Sequence, residues 1–270
     1  MTTIRQELVA ATAALEEVGC RTPRLDAELL LAHVLGVDRA QLVIRSGEEA
    51  SGDHRTRYLA LLTRRVKREP VAYILGKRDF RRLTLAVDPR VLIPRPETEL
   101  LVETGLKLPR DVTVADVGTG SGAVALALKD ERPDLDVIGV DISSGALSVA
   151  RMNASRTKLA VRWVQADLLD GVECDAVLAN LPYVASSEPL DPEAENYEPR
   201  DALVGGSLGT ELIARLLEQL AGRQRVSHVA LEIGAGQGQA VRALMQAASF
   251  REVSVLHDLA GLDRVVSGHR

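Results

Sequence analysis

A chain of 270 residues with 46% hydrophobic and 26% charged residues has ordinary globular composition and room for one large α/β domain plus a smaller one. Wholesale disorder and collagen-like structure are thereby excluded, and a 3% aromatic share leaves the core aliphatic. The net charge is -5, Cys20 and Cys174 stand apart without a CxxC, and the five histidines show no HxxxH or HExxH spacing, so no metal site is expected. No stretch approaches the roughly 18 to 20 uncharged apolar residues of a membrane span, and the first residues carry no apolar signal core. The expectation is a soluble cytoplasmic protein with reduced thiols.

The first seventy residues read as short amphipathic helices. Ile4, Leu8, Ala11, Leu15 and Val18 recur at helical spacing before Gly19, and Thr22 reads as an N-cap with Pro23 in the first turn of a helix that stops at Gly36. A third helix is expected at Arg39 to Ile44, and a fourth from His54 to Arg68, broken by Pro70. From Arg78 to Ile93 the pattern turns to near-alternation around Asp88-Pro89-Arg90, which reads as a hairpin connector. A helix over 97–107 follows. Strands are then expected at 112–117, 136–140, 161–165, 176–179, 226–233 and 251–257, alternating with helical patterns, which is the signature of a doubly wound, mainly parallel sheet.

Residues 55–95 hold twelve Lys or Arg against Glu69, Asp79 and Asp88, a local net charge of +9. Such a stretch is either a solvated helix face or a docking surface for an acidic partner or polyanion. Few aromatics interleave with these charges, so stacking on nucleic-acid bases is weakly supported.

The run Asp116-Val117-Gly118-Thr119-Gly120-Ser121-Gly122 sets three glycines after a buried strand and before a helix, where a sharp turn lets a ligand approach the backbone. The next strand ends in Asp141, nineteen residues after Gly122, and a carboxylate there can accept both hydroxyls of an adenosine ribose. The third strand leads to Asp167 and Leu168, an acid to meet the adenine amino group and an apolar side chain to cover the ring. A second turn, Gly234-Ala235-Gly236-Gln237-Gly238, with Asp258 twenty residues beyond, offers nearly the same spacing but lies late in the chain, after any plausible catalytic motif, so the first turn is the preferred nucleoside site. The plain alternative for the second is a tight strand-to-helix turn.

The fourth strand ends in Asn180-Leu181-Pro182-Tyr183. The Asn180 side-chain oxygen and the Leu181 carbonyl can each accept one N–H of a planar NH2 group, Pro182 holds Leu181 extended, and Tyr183 can lie against the amide or base. Here the sequence resembles the S-adenosylmethionine-dependent amino-group N-methyltransferases, and more closely the release-factor glutamine methyltransferase family. The resemblance covers nearly the whole chain: Glu69 to Gly76, Val91 to Glu99, Asp116 to Gly122, Asn180 to Tyr183, Tyr197-Glu198-Pro199-Arg200 with Gly205-Gly206, and Asp258 to Gly261. Leu181 departs from the family, which usually has proline there, but the interaction assigned to that position is made by a backbone carbonyl that leucine keeps.

The resemblance implies methyl transfer to N5 of the glutamine in the Gly-Gly-Gln motif of peptide-chain release factors, with S-adenosyl-L-methionine as cofactor and S-adenosyl-L-homocysteine as product. It implies an N-terminal helical bundle for substrate docking over residues 1–76, a β-hairpin linker over 77–96, and a Rossmann-like methyltransferase domain over 97–270. Asn180, Leu181, Pro182 and Tyr183 are the catalytic candidates. Gly118, Thr119, Gly120, Ser121, Gly122, Asp141, Asp167, Leu168 and Asn180 are the cofactor-binding candidates. Glu97 and Thr98 line the cofactor or glutamine pocket, or simply begin a helix, and residues 184–207 read as a substrate-side loop. A monomer without direct nucleic-acid contact is expected. Methylation of a ribosomal-protein glutamine, N6-adenine methylation of ribosomal RNA by an enzyme sharing Asn-Leu-Pro-Tyr, and a cofactor-sensing module without transferase activity remain open. The roughly 110 residues before the glycine turn argue against the RNA enzymes, in which the nucleoside-binding domain opens the chain.

Overall fold

The structure, a computed structural model, describes residues 2–270. In chain order the helices are α1 (Ile4–Glu17), α2 (Pro23–Leu35), α3 (Arg39–Ile44), α4 (Gly52–Val66), α5 (Val71–Leu75), α6 (Glu99–Gly105), α7 (Ala123–Glu131), α8 (Ser144–Thr157), α9 (Pro192–Tyr197), α10 (Glu211–Ala221) and α11 (Gly238–Ala247). The strands are β1 (Lys77–Phe80), β2 (Leu83–Ala86), β3 (Thr113–Val117), β4 (Asp136–Asp141), β5 (Arg162–Gln165), β6 (Ala176–Ala179), β7 (Val184–Ala185), β8 (Val204–Gly206), β9 (His228–Glu232), β10 (Arg251–His257) and β11 (Asp263–His269). They make two compact units, one running to Gly76 and joined by Asp191–Tyr197, the other Lys77–Leu190 with Glu198–Arg270. Among the described residues no helix is long and apolar enough to cross a membrane.

The first unit is helical. Thr3 and Asp38 start α1 and α3 with reciprocal capping boxes to Gln6 and Gln41, and Gly36 and Gly76 end α2 and α5 in the left-handed region. Thr22 occupies the N-cap of α2 as expected, but makes no side-chain cap; its hydroxyl donates to Asp26 at 2.8 Å. Ile4, Leu8, Leu15, Leu30, Leu31, Leu42 and Tyr58 form the core. Helix α9 joins this unit although it lies far along the chain. Buried Arg65 donates to Asp26 at 2.8 Å and to Glu193 of α9 at 2.6 Å, and Arg68 pairs with Glu193 at 3.2 Å. Burial opposes the Arg65 charge, but the two carboxylates outweigh it and raise its pKa.

Such pairing is general along the basic stretch. Arg55, Arg57, Arg64, Arg65, Arg68, Arg81, Arg90 and Arg95 all meet carboxylates. Among the described residues only Lys67, Lys77, Arg78 and Arg82 of the twelve lack an ion pair. Of the two readings the sequence offered, a docking surface would rest on these four, because distant acids neutralise Arg55, Arg65, Arg68, Arg81 and Arg95 while Asp53, Glu69 and Asp88 pair locally with Arg57, Arg64 and Arg90.

The second unit is built on a seven-stranded sheet in the order β10-β11-β9-β6-β3-β4-β5. Strands β3, β4, β5, β6 and β9 are parallel, and β11 runs antiparallel between β9 and β10. Strand β11, absent from the sequence-based expectation, is where the sheet departs from pure alternation. Apolar clusters line both faces, one around Val177, Leu216 and Leu231, the other around Leu101, Leu126 and Val137. The hairpin differs from expectation. Its turn is Arg81-Arg82, with Lys77 opposite Ala86, and Asp88-Pro89-Arg90 lies outside it. Arg81 adopts φ 52 and is anchored to Glu131 at 2.8 Å, so a charged pair fixes the turn ahead of the Asp88-Pro89-Arg90 segment that had suggested one. The hairpin is part of the second unit, since Phe80 and Leu85 are buried in the same cluster as Leu126.

Candidate active site

Strand order reverses at β3, with β4 on one side and β6 on the other, and such a switch point opens a crevice at the carboxyl edge of the sheet. A cavity of about 350 Å³ lies there. Its walls bring together Gly118, Thr119, Gly120, Ser121, Asp141, Asp167, Leu168, Asn180, Leu181 and Pro182, with Thr98 and Ile142. Gly122 and Tyr183 stand outside these walls. Gly122 begins α7 at φ 82, and Tyr183 lines a smaller hollow of about 50 Å³ beside Asn180.

The glycine turn is locked by Asp116, 1% exposed, whose Oδ2 accepts from the Thr119 hydroxyl at 2.5 Å and the Ala125 amide at 3.1 Å. Burial pushes its pKa up to about 7, against the pull of those two donors, and Asp141 adds to the rise. Gly118 adopts φ 75, and a Cβ on it would stand 3.1 Å from the Asn180 carbonyl oxygen and from Leu181 Cδ2, so only glycine fits this approach of turn to loop. Asp141 accepts from the Gly120 amide and the Ser143 amide, each at 2.9 Å. Each carboxylate oxygen so engaged keeps a lone pair for a ligand hydroxyl. Ile142, 67% exposed, and Leu168, 6% exposed, give the cavity apolar walls. Asp167 is half engaged: its Oδ2 accepts from Arg215 at 2.7 Å.

On the other side, Asn180 Nδ2 donates to Thr98 Oγ1 at 3.2 Å. Among the described residues, neither the Asn180 side-chain oxygen nor the Leu181 carbonyl accepts a hydrogen bond. Two acceptors at the cavity wall suit one planar NH2 group. The Tyr183 hydroxyl points to Glu232 at 3.4 Å, so the ring is braced by the sheet.

Several supporting residues had no role assigned from the sequence. Glu198 is buried and takes the Arg95 guanidinium at 2.5 Å and the Ile93 amide at 3.1 Å, tying the Tyr-Glu-Pro-Arg segment to the proline-rich one. Asn153 bonds the Ala86 amide and carbonyl and the Ser121 carbonyl. A Cβ on Gly205 would lie 2.1 Å from the Pro182 oxygen, which explains glycine there as the residue that lets β8 reach the Asn180 loop. Only this glycine pair and the acid in Tyr-Glu-Pro-Arg had a signal in the sequence.

The second glycine turn does not face the cavity. Gln237 accepts from the Gly234 amide and donates to the Tyr183 carbonyl, each at 2.9 Å, so the turn braces the Asn180 loop from behind. Asp258 is consumed by the Ala260 and Leu262 amides and Arg264. Strand β11 separates β10 from β9, which sets Asp258 two strand spacings from the turn.

Comparison with known proteins places these features in a family. Residues 6–76 match the PrmC N-terminal domain model and residues 96–192 the methyltransferase small domain model. The release factor glutamine methyltransferase of Mycolicibacterium smegmatis is 38% identical over 100% of this chain and 99% of its own. That of Neisseria gonorrhoeae is 41% identical over 92% of this chain and 94% of its own. A methyltransferase from Pyrococcus furiosus of solved structure, 16% identical, shares the fold at a TM-score of 0.51, covering 68% of this chain and 87% of its own. With a methyltransferase domain behind its cavity and relatives matched end to end, the chain belongs to the release factor glutamine methyltransferase family.

Proposed function

We propose that the protein transfers the methyl group of S-adenosylmethionine to the N5 amide nitrogen of the Gly-Gly-Gln glutamine of peptide-chain release factors, in the cytoplasm and as a monomer. The observation that carries the reading is the orientation of Asn180, whose NH2 is spent on Thr98 and whose oxygen is left, with the Leu181 carbonyl, to receive an amide. The cofactor assignment draws support from the spare lone pairs of Asp141, the apolar Ile142 and Leu168, and a cavity within the range of small-molecule sites. Gly118 to Ser121 give the turn a backbone face, and Asp167 and Leu168 take the base. When bound, S-adenosylmethionine supplies a methyl group on a positively charged sulfur.

An amide nitrogen is a poor nucleophile because its lone pair is shared with the carbonyl. Asn180 and Leu181, by holding both N–H bonds, fix the nitrogen for in-line attack and favour the positive charge that grows on it. Pro182 keeps Leu181 extended so that the carbonyl aims inward. The Leu181 side chain, 5% exposed, packs toward Gly118, so leucine in place of the family's proline is accommodated beside the turn. We assign residues 1–76 to holding the body of the protein substrate, and the unit that begins at Lys77 to methyl transfer.

The test is incubation with methyl-labelled S-adenosylmethionine and an unmodified release factor, with ribosomal proteins and ribosomal RNA in parallel, and mapping of the label by peptide mass spectrometry. Label on the Gly-Gly-Gln glutamine is expected. Label on a ribosomal-protein glutamine or on RNA adenine would reassign the substrate. Asn180→Ala is expected to lower turnover by about 2 to 4 kcal/mol of transition-state stabilisation while leaving cofactor binding nearly intact.

A further inference from the structure

Behind Asn180 lies a buried carboxylate that the reaction as described does not use. Glu232, the last residue of β9, is 2% exposed, its Oε1 receives the Tyr183 hydroxyl at 3.4 Å, and its Oε2 is a buried acceptor without a hydrogen-bond partner. Thr98, also buried, is near enough for its hydroxyl to stabilise the ionised carboxylate, and Thr98 Oγ1 is the atom that Asn180 Nδ2 donates to. Leaving such an acceptor unmet in the interior is costly, so a donor for Oε2 is called for.

We infer that Glu232 is a positioning residue that, through the Thr98 hydroxyl, dictates which way round the Asn180 amide sits. Donor direction sets the orientation. An ionised carboxylate only accepts, and with Oε2 unmet the Thr98 hydroxyl is the group placed to turn its single proton toward Glu232, which leaves it only lone pairs to offer Asn180. Asn180 must then present its NH2 to Thr98 and its oxygen to the cavity. Without that constraint Thr98 can donate to the Asn180 oxygen, the amide turns over, and the substrate NH2 meets a second NH2 instead of an acceptor. Tyr183, as a second donor to Glu232, ties the loop to the same anchor.

The groups facing Glu232 are Thr98 and Glu97 from the turn before α6, Tyr183 from the Asn180 loop and Arg264 from β11. Burial raises the Glu232 pKa to about 7, the Thr98 and Tyr183 hydroxyls and Arg264 draw it down, and Glu97 raises it further. Protonation on the acidic side of neutrality therefore releases the constraint.

This inference rests on the amide-clamp reading, and the experiment separates the two. Turnover on an unmodified release factor and binding of S-adenosylhomocysteine are measured for the full chain and for Asn180→Ala, Thr98→Val, Thr98→Ser and Glu232→Gln. Thr98→Val is expected to lose about tenfold or more in kcat, as for a hydrogen bond to a charged group, with S-adenosylhomocysteine affinity kept within about twofold. Thr98→Ser, which keeps the hydroxyl, is expected to retain kcat within about twofold. The unaltered enzyme is expected to gain kcat as pH rises through neutrality, and Glu232→Gln, whose amide can accept or donate, is expected to lower kcat and to remove that rise. Full turnover in Asn180→Ala would overturn the clamp itself. Loss in Asn180→Ala beside unchanged kcat in Thr98→Val, equal losses in Thr98→Val and Thr98→Ser, or an unaltered pH profile in Glu232→Gln would overturn the positioning role alone.

Discussion

The two glycine turns share one layout, an acid two residues before the first of three alternating glycines: Asp116 before Gly118-Thr119-Gly120-Ser121-Gly122, and Glu232 before Gly234-Ala235-Gly236-Gln237-Gly238. Both follow a buried parallel strand, and both acids are buried with pKa values raised to about 7, first by loss of water. Yet only the first turn lines the cavity. The difference lies in the neighbours. Strand β3 has β4 beside it, with Asp141 aimed at the turn, whereas β9 has antiparallel β11 beside it and Asp258 is closed into its own loop. A local spacing encodes a turn; the order of strands decides whether that turn meets a ligand or supports a loop.

The largest expected contrast is between the two downstream acids. Asp141→Ala is expected to weaken S-adenosylhomocysteine binding about a hundredfold, as for loss of two hydrogen bonds to a charged group, while Asp258→Ala leaves it within about twofold and lowers only Tm. Calorimetric titration of both variants measures this, and comparable losses in affinity would dissolve the distinction between the turns.

Next in size is the cost of the buried acids. A raised folded-state pKa means that between about pH 4 and 7 the folded protein holds a proton that the unfolded chain has released, so stability falls as pH rises through that window. Asp116→Asn is expected to flatten the slope of Tm against pH between those limits. An unchanged slope would mean that the Asp116 proton is lost near its ordinary pKa and that Thr119 and Ala125 satisfy the ionised form fully. Asp134 and Glu211, whose pKa values are lowered to about 2 by their hydrogen-bond donors, act outside this window, below pH 4.

A smaller effect sharpens the supporting role of the second turn. Gln237→Ala removes the bonds to the Gly234 amide and the Tyr183 carbonyl. Turnover is expected to fall about fivefold, close to the value of one neutral hydrogen bond, with S-adenosylhomocysteine affinity unchanged. Equal loss of affinity and turnover would place Gln237 in the cofactor site instead.

What the sequence made legible follows the same division. Residues that form the crevice by strand order were readable, because glycines after a strand and acids at strand ends are signals carried by a few neighbouring positions; Gly118 to Ser121, Asp141 and Asn180 all converge as spaced. Residues that work through distant partners were not. Glu232 drew no reading inside the strand expected at 226–233, Asn153 drew none either, and the net charge of residues 55–95 could not show that Glu7, Asp26, Glu131, Glu193 and Glu198 pair with it from elsewhere in the chain. The hairpin turn was misplaced for a related reason: Asp88-Pro89-Arg90 has turn chemistry, but burial of Phe80 and Leu85 sets the register around Arg81-Arg82. Strand β11 was missed because antiparallel pairing between β9 and β10 breaks the alternation that identified the other strands.

The smallest effect tests the turns at their own glycines. Gly236 adopts φ 90 with nothing within 4 Å of where a Cβ would stand, so Gly236→Ala adds backbone strain and no contact. The left-handed region costs an L-residue about 1 to 2 kcal/mol, and for a unit of this size about 1 kcal/mol moves Tm by about 2 to 4 °C. Cofactor affinity is expected to stay within about twofold. Gly118→Ala carries the same strain at φ 75 but also sets a methyl group 3.1 Å from the Asn180 carbonyl oxygen and from Leu181. The loop must give way there, and because the loop is one wall of the cavity, the loss should register in cofactor binding and turnover as well as in Tm. Thermal melts of the two variants beside S-adenosylhomocysteine titrations separate strain from displacement; if both variants lose only stability, the contact between Gly118 and the Asn180 loop is packing without consequence for the site.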